Sequence, residues 1–261
     1  MPDQLVIAVA GKGGVGKTTF SALLLKVLTK TGKDILMMDC DPDANIPDVL
    51  GIPVMRKETV GGKAAKLKEN IAKGKIPPQM TKDRILEQDI FEVLQELDDF
   101  DLLTMGCSEG PGCYCFANQL ATQILDKLSK NYDITLMDME AGLEHLSRRT
   151  TRDVDILVMV TDASKMGLTT VKRIKELSKE VGLKFKKIYV VGNKFTPELK
   201  EHLEKTAEEI GVEVLGIIPP SDEIAKYNLE GKSLLDLPDD AVPVKAVEAM
   251  AIKMDLVAQS S

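Results

Sequence analysis

The chain has 261 residues, of which 44% are hydrophobic, and a formal net charge of −7. This length allows one large domain or two small ones, with a core that needs no cross-links. The negative charge argues against a nucleic-acid-binding protein, which needs a cationic surface. No apolar run reaches the roughly 18 residues of a membrane span, and residues 1–4 lack the basic stretch that begins a signal peptide. We therefore expect a cytoplasmic protein that binds neither nucleic acid nor a membrane.

Short apolar runs alternate with helical stretches along the chain. The predicted strands are residues 5–10, 34–39, 101–105, 134–138, 155–161, 187–192 and 212–218, and the predicted helices are residues 18–31, 117–130, 166–181 and 197–210. Such alternation specifies right-handed crossovers and a mainly parallel sheet with helices on both faces. The sequence therefore predicts the α/β class, with a single doubly wound domain over residues 1–261.

Residues 51–99 form a predicted insertion between the second and third strands. Between Arg56 and Arg84 the insertion carries nine basic and three acidic residues, against the negative balance of the whole chain. A solvated helical excursion would explain this charge, and so would a docking surface for an acidic partner. Both interpretations stay open at this point.

The strongest motif lies between the first predicted strand and the first predicted helix. It consists of Gly11, Lys12, Gly13, Gly14, Val15, Gly16, Lys17, Thr18 and Thr19, and it matches the P-loop pattern of nucleotide-binding proteins. The glycines allow backbone N–H groups to face phosphate oxygens, and the helix adds its positive dipole end. Lys17 is expected to reach the β- and γ-phosphates of ATP, and the Thr18 hydroxyl is expected to bind Mg²⁺. These residues predict a P-loop NTPase that binds ATP or ADP with Mg²⁺.

Lys12 places a second lysine at the start of this loop. The form G-K-G-G-V-G-K-T-T resembles the deviant-Walker ATPases, a group that includes MinD, the arsenite-pump ATPase and the nitrogenase iron protein. The resemblance implies that Lys12 crosses a dimer interface to the phosphates of the partner's nucleotide. A cation supplied in this way stabilises charge on the transferring phosphoryl group, so ATP hydrolysis would require a homodimer.

The ends of the second and fourth strands resemble the two switch segments of that group. The first reads Met-Asp-Cys-Asp-Pro-Asp from residue 38, and the second reads Asp-Met-Glu-Ala-Gly from residue 138. By resemblance, Asp41 would position or activate the attacking water, and Asp39 would support Mg²⁺ through its water shell. Asp138 would hold the Mg²⁺ shell, and Gly142 would offer its N–H to the γ-phosphate.

The adenine contacts are assigned by resemblance and chain order. Asn193 and Lys194 follow the sixth strand, and Pro219 follows the seventh, where this group holds the base. The side-chain amide of Asn193 can pair with the edge of adenine.

Cys113 and Cys115 lie in a glycine- and proline-rich loop that follows the third strand. In an extended segment, residues i and i+2 point to the same side, so both sulfurs can face one ion. Two sulfurs are half of a tetrahedral site, and a two-fold axis would double them to four thiolates. The pair therefore predicts Ni²⁺ or Zn²⁺ bound between two subunits, with two buried structural cysteines as the alternative. Cys40 and Cys107 are predicted to be buried cysteines at strand ends.

Together these motifs resemble the CooC-type accessory ATPases, which help to insert nickel into carbon monoxide dehydrogenase or acetyl-CoA synthase. The resemblance implies an ATP-hydrolysing metallochaperone that works as a homodimer on such a client enzyme. An iron–sulfur reductase like the nitrogenase iron protein is one alternative, although the switch segment lacks its second cysteine. A MinD/ParA-like spatial regulator is the other, although residues 245–261 have no net charge for a membrane-binding helix.

Overall fold

The computed structural model describes residues 4–75, 91–106, 127–140, 154–180 and 184–259. The strands are β1 (Leu5–Gly11), β2 (Ile35–Asp39), β3 (Gln95–Glu96), β4 (Asp101–Thr104), β5 (Ile134–Asp138), β6 (Ile156–Thr161), β7 (Lys187–Asn193) and β8 (Glu213–Ile218). The α-helices are α1 (Lys17–Thr29), α2 (Asn45–Leu50), α3 (Val60–Ala72), α4 (Lys165–Glu180), α5 (Lys200–Ile210), α6 (Asp222–Glu230) and α7 (Val242–Lys253). Short 3₁₀ helices span Arg56–Glu58, Ser129–Asn131, Pro197–Leu199 and Leu234–Asp236.

The strands form one sheet in the order β3-β4-β2-β5-β1-β6-β7-β8. Every neighbouring pair is parallel except β3 and β4, which are antiparallel. The predicted α/β class and mainly parallel sheet are therefore confirmed. Each of the seven predicted strands is present with its ends shifted by at most one residue.

Side chains alternate between the two faces of the central strand β1. Ile7 and Val9 belong to a core that also contains buried residues of α1, α2 and α7. Val6 and Ala8 belong to a second core, which contains buried residues of α3, α4 and α5. Because both faces are covered, the central strands are apolar throughout, as parallel sheets require.

The predicted helix 117–130 lies almost entirely outside the described residues. The structure departs from the predicted helices in two other ways. The predicted helix 197–210 is a 3₁₀ turn, Pro197–Leu199, followed by α5. Helices α2, α3, α6 and α7 were not predicted. α6, for example, buries none of its residues fully, and only Ile224 and Tyr227 pack against the core, so its apolar side is narrow.

Asp155 joins the amino ends of three neighbouring strands of the sheet. Its Oδ2 accepts a hydrogen bond from the N–H of Val6 at 2.8 Å, and its own N–H donates to Val6 O at 2.9 Å. Its carbonyl oxygen accepts from the N–H groups of Lys186 and Lys187, and its Oδ1 pairs with Lys186 Nζ at 2.8 Å. One buried residue thus connects the starts of β1, β6 and β7.

Within the five described stretches, none of the helices combines the length and the apolarity that a bilayer crossing demands.

Candidate functional site

A cleft of about 560 Å³ opens at the carboxyl edge of the sheet, between the start of α1 and the start of α6. Parallel α/β sheets place ligands at this edge. The predicted residues that line the cleft are Gly13, Gly14, Gly16, Lys17, Thr18, Thr19, Asp41, Asn193, Lys194 and Pro219. The structure therefore brings residues from four separate segments of the chain to one cavity.

The backbone of the loop before α1 requires glycine at two positions. A Cβ on Gly11, which has φ of 154°, would lie 2.2 Å from the carbonyl oxygen of Val160. A Cβ on Gly16, which has φ of 93°, would lie 2.0 Å from Nδ2 of Asn193. Because these contacts fix the loop against β6 and β7, the peptide groups of the loop are held at the mouth of the cleft.

Lys17 and Lys12 differ in their relation to the cleft. Lys17 is buried, with 6% of its surface exposed, and its Nζ lies 3.4 Å from the carbonyl oxygen of Lys12. Lys12 is half-buried. Among the described residues that line the cleft, Lys17 is present and Lys12 is not.

Asp138 at the end of β5 is bound to two hydroxyl groups of α1. Thr18 Oγ1 donates to Asp138 Oδ2 at 2.8 Å, and Ser21 Oγ donates to Oδ1 at 3.1 Å. Burial raises the pKa of Asp138 to about 6, while the Thr18 hydrogen bond and the charge of Lys17 oppose the shift. Sequence reasoning missed Ser21, although it lies one helical turn after Thr18 and thus on the same side of α1.

Asp39 at the end of β2 is the most strongly perturbed carboxyl group of the site. It is fully buried and stands beside Asp138 in the register of the sheet. Its two oxygens accept backbone hydrogen bonds from Asp41 at 3.1 Å and from Ile46 at 3.0 Å. Burial and the charge of Asp138 raise the pKa of Asp39 to about 8.

Asp41 lies on the turn that follows β2 and faces the cleft. It is only partly exposed, and its Oδ1 accepts a hydrogen bond from the N–H of Asp43 at 3.0 Å. The carboxylates of Asp41 and Asp43 both line the cleft. The predicted cluster of acidic residues is thus divided between the buried Asp39 and the two cleft residues.

Asn193 at the end of β7 contacts the P-loop directly. Its Nδ2 donates to the carbonyl oxygen of Val15 at 2.8 Å, and the residue is 4% exposed. This bond uses one of the two N–H groups of the amide, so the second N–H and Oδ1 could bond to a ligand in the cleft. The neighbouring Lys194 has a positive φ of 58° and also lines the cleft.

Several predicted residues lie outside the described part of the chain. These are Gly142, the cysteines of the C-x-C pair, Cys113 and Cys115, and Cys107. Cys40 is buried as predicted, and burial raises the pKa of its thiol. Over the stretches that the structure covers, no group of three or more His, Cys, Asp or Glu side chains is placed to hold a metal ion.

The cleft also contains residues that sequence reasoning did not identify, among them Asn45, Val49, Ser221, Ile224 and Asn228. They come from α2 and α6, the helices whose periodicity was missed. Ser221 Oγ caps α6 by accepting from the N–H of Ile224 at 3.3 Å. A serine followed by two acidic residues is a usual helix start, and this signal could have located α6.

Comparison with protein families gives one match over most of the chain. The model of the CobQ/CobB/MinD/ParA nucleotide binding domain matches residues 6–235. An ATP-binding protein of Methanocaldococcus jannaschii is 49% identical over 250 residues, which cover 96% of this chain and 98% of the relative.

Two further similarities carry names that bear on function. The carbon monoxide dehydrogenase accessory protein CooC of Rhodospirillum rubrum is 31% identical, over 88% of this chain and 89% of the relative. The septum site-determining protein MinD of Pyrococcus horikoshii, complexed with Mg-ADP, superposes with a TM-score of 0.68 over 96% of each chain. At 20% identity, this second similarity supports the fold alone.

Proposed function

The chain belongs to the CobQ/CobB/MinD/ParA family of nucleotide-binding domains, a family of P-loop ATPases, and on that premise we propose that it is an Mg²⁺-dependent ATPase that acts as a homodimer in nickel insertion. The whole chain, residues 1–261, would act as one domain. The observation that carries the ATPase proposal is the cleft, in which Lys17, Thr18 and Asp41 surround one cavity at the carboxyl edge of the sheet. ATP would lie with its phosphates on the P-loop and its base toward Asn193.

A divalent cation fits the charges beside Thr18. Two buried carboxyl groups, Asp39 and Asp138, stand next to each other, and the pKa of each is raised. A bound Mg²⁺ would favour the ionised form of both groups, with Thr18 as a ligand and the two carboxylates in contact with its water shell. Mg²⁺ would supply positive charge against the β- and γ-phosphates. Asp41, which faces the cleft, would position the attacking water.

The position of Lys12 supports a dimer. Its side chain stands outside the lining of its own cleft, whereas Lys17 lies inside that lining. In the proposed homodimer, Lys12 would reach the nucleotide held by the second subunit. Hydrolysis would then depend on dimerisation, because the second subunit completes the positive charge around the phosphates.

The cargo and the client are inferred from the cysteine pair and from one relative. Cys113 and Cys115 of two subunits would supply four thiolates to one Ni²⁺ or Zn²⁺ ion. The relative named carbon monoxide dehydrogenase accessory protein matches nearly the full length of this chain. The client would therefore be carbon monoxide dehydrogenase or acetyl-CoA synthase, and ATP and metal would both favour the dimer.

Two lysine variants test the ATPase proposal. Lys17→Ala should abolish ATP binding, measured by isothermal titration calorimetry, because it removes the charge next to the β- and γ-phosphates. Lys12→Ala should bind ATP like the unmodified protein but release phosphate at least about a hundredfold more slowly. Lys33→Ala, a lysine at the opposite edge of the sheet, serves as the control. Normal turnover by Lys12→Ala would show that no lysine acts across the interface.

Cysteine variants test the cargo. A Cys113→Ala/Cys115→Ala protein should lose the one metal ion per dimer, measured by plasma mass spectrometry, and should keep ATP binding. Cys107→Ala is the matched control and should keep the metal. Unchanged metal in the double variant, or a protein that stays monomeric with ATP and Ni²⁺, would contradict the proposal. Visible absorption typical of a [4Fe–4S] cluster in anaerobically purified protein would favour a reductase, and ATP-dependent pelleting with liposomes would favour a spatial regulator.

A further inference from the structure

The basic part of the predicted insertion contrasts in charge with the rest of the chain. Residues 56–75 carry seven basic and two acidic side chains, a net charge of +5 in a chain of −7. Six of the basic side chains are exposed, and together they are called the basic surface below: Arg56, Lys57, Lys66, Lys68, Lys73 and Lys75. Positive charge is thus concentrated on one short segment of an acidic protein.

Two lysines of the basic surface, Lys66 in helix α3 and Lys73 at its carboxyl end, are exposed to solvent. Ala64 and Leu67 are buried against the sheet, and Lys66 and Lys73 are seven residues apart, which places them on the same side of the helix. That side points away from the core. Lys66 makes no ion pair with any other described residue, and Lys73, the residue that caps the carboxyl end of α3, pairs with Glu69 of that helix.

The start of α3 is fixed to the carboxyl edge of the sheet. Thr59 Oγ1 caps the helix by accepting from the N–H of Gly62 at 3.1 Å. The N–H of Gly61 donates to Met105 O at 2.7 Å, and the N–H of Met105 donates to Asp39 O at 2.9 Å. The start of α3 is therefore two hydrogen bonds away from Asp39, and the lysines of the basic surface follow along the helix and beyond its end.

We propose that the basic surface is a docking site for an acidic surface of another protein. Charge complementarity is the reason for this choice of partner, because clustered lysines steer and orient carboxylate-rich surfaces. A nucleic acid fits less well, since the chain as a whole carries −7 and would repel the phosphates beyond this segment. A membrane fits less well too, since the apolar side of α3 is already buried in the core.

This proposal goes beyond nickel insertion and does not depend on the identity of the metal. It predicts an interaction that weakens with salt, because exposed charges are screened over about 10 Å at 0.1 M ionic strength. The start of α3 lies at the carboxyl edge of the sheet, where the nucleotide cleft also opens.

The test compares two double variants with the same change in net charge. Lys66→Glu/Lys73→Glu reverses the charge of one exposed lysine of α3 and of the exposed lysine that caps its carboxyl end, which pairs with Glu69. Lys200→Glu/Lys205→Glu does the same on α5, where Lys200 pairs with Glu204. Binding of a fluorescent poly-L-glutamate peptide is measured by anisotropy at 50 and 300 mM NaCl, and thermal unfolding shows whether both variants are folded.

The α3 variant should bind the peptide at least about tenfold more weakly at 50 mM NaCl, and the α5 variant within twofold of the unmodified protein. Equal losses in the two variants would overturn the proposal, because only the total charge would then matter. Tighter binding of the unmodified protein to duplex DNA or to vesicles with 30% phosphatidylglycerol would overturn it as well. If the basic surface does not bind the peptide but the protein still hydrolyses ATP in a metal-dependent reaction, the docking proposal is wrong and the proposed function is unaffected. The two proposals are therefore tested independently.

Discussion

Asp39 is expected to make the stability of the protein depend on pH. Its carboxyl group has a pKa of about 8 in the folded chain and an ordinary value of 3.8. Between these values the folded chain binds one more proton than the unfolded chain, so stability is lost as the pH rises through this interval. From pH 5.5 to 8.5 the two pKa values give a loss of about 3 kcal/mol, at ~1.4 kcal/mol for each unit of differential ionisation.

The variant Asp39→Asn should abolish most of this loss. Asparagine stays neutral, but it offers one oxygen to the two N–H groups that Asp39 now accepts from Asp41 and Ile46. The missing hydrogen bond should cost about 1 kcal/mol at pH 5.5. At pH 8.5 the variant should instead be more stable than the unmodified protein, by about 2 kcal/mol.

Urea unfolding without nucleotide or Mg²⁺, at pH 5.5 and 8.5, measures these differences. Asp43→Asn is the control, because Asp43 is exposed and its replacement should leave the pH dependence unchanged. If Asp39→Asn still loses about 3 kcal/mol between the two pH values, the buried carboxyl group of Asp39 is not its source.

Three further predictions concern the surroundings of the cleft. Asn193→Ala removes the hydrogen bond to Val15 O, so ATP should bind at least about tenfold more weakly, and stability should fall by ~1–3 kcal/mol, by calorimetry and urea unfolding. Leu24→Ala opens a cavity at a fully buried position of α1 and should cost about 2–5 kcal/mol in urea unfolding, with little change in metal content. Ser221→Ala removes the cap of α6 and should cost about 1 kcal/mol. Stability equal to that of the unmodified protein would contradict each of these contacts.

The sheet could be predicted from the sequence because its strands are buried on both faces. A run such as Leu-Val-Ile-Ala-Val-Ala in β1 is apolar at every position, and the P-loop that follows it fixes where the strand ends. The small edge strand β3 was missed, since two residues, Gln95 and Glu96, carry no periodic signal. Its pairing depends on the neighbouring β4, a contact between segments that no local pattern reveals.

The site could be predicted only as far as its motifs reach. Lys17, Thr18 and Asp138 belong to segments with recognisable spacing, and the structure places them together. The contact between Asn193 and Val15 spans 178 positions of the chain, and the proximity of Asp39 to Asp138 follows from the strand order. Neither is encoded in a local pattern, so the raised pKa of Asp39 could not have been predicted from the sequence.

The bonds of Asp155 bear on where the protein can change shape. Three neighbouring strands, β1, β6 and β7, begin at a single junction built from the carboxylate, the N–H and the carbonyl oxygen of one residue. At the opposite, carboxyl edge of the sheet, the strands lead into the segments that line the nucleotide cleft. Any displacement that accompanies the nucleotide cycle should therefore be small at the amino ends of these strands, near Asp155, and larger at their carboxyl ends. Amide protons near Asp155, that of Val6 among them, should exchange most slowly.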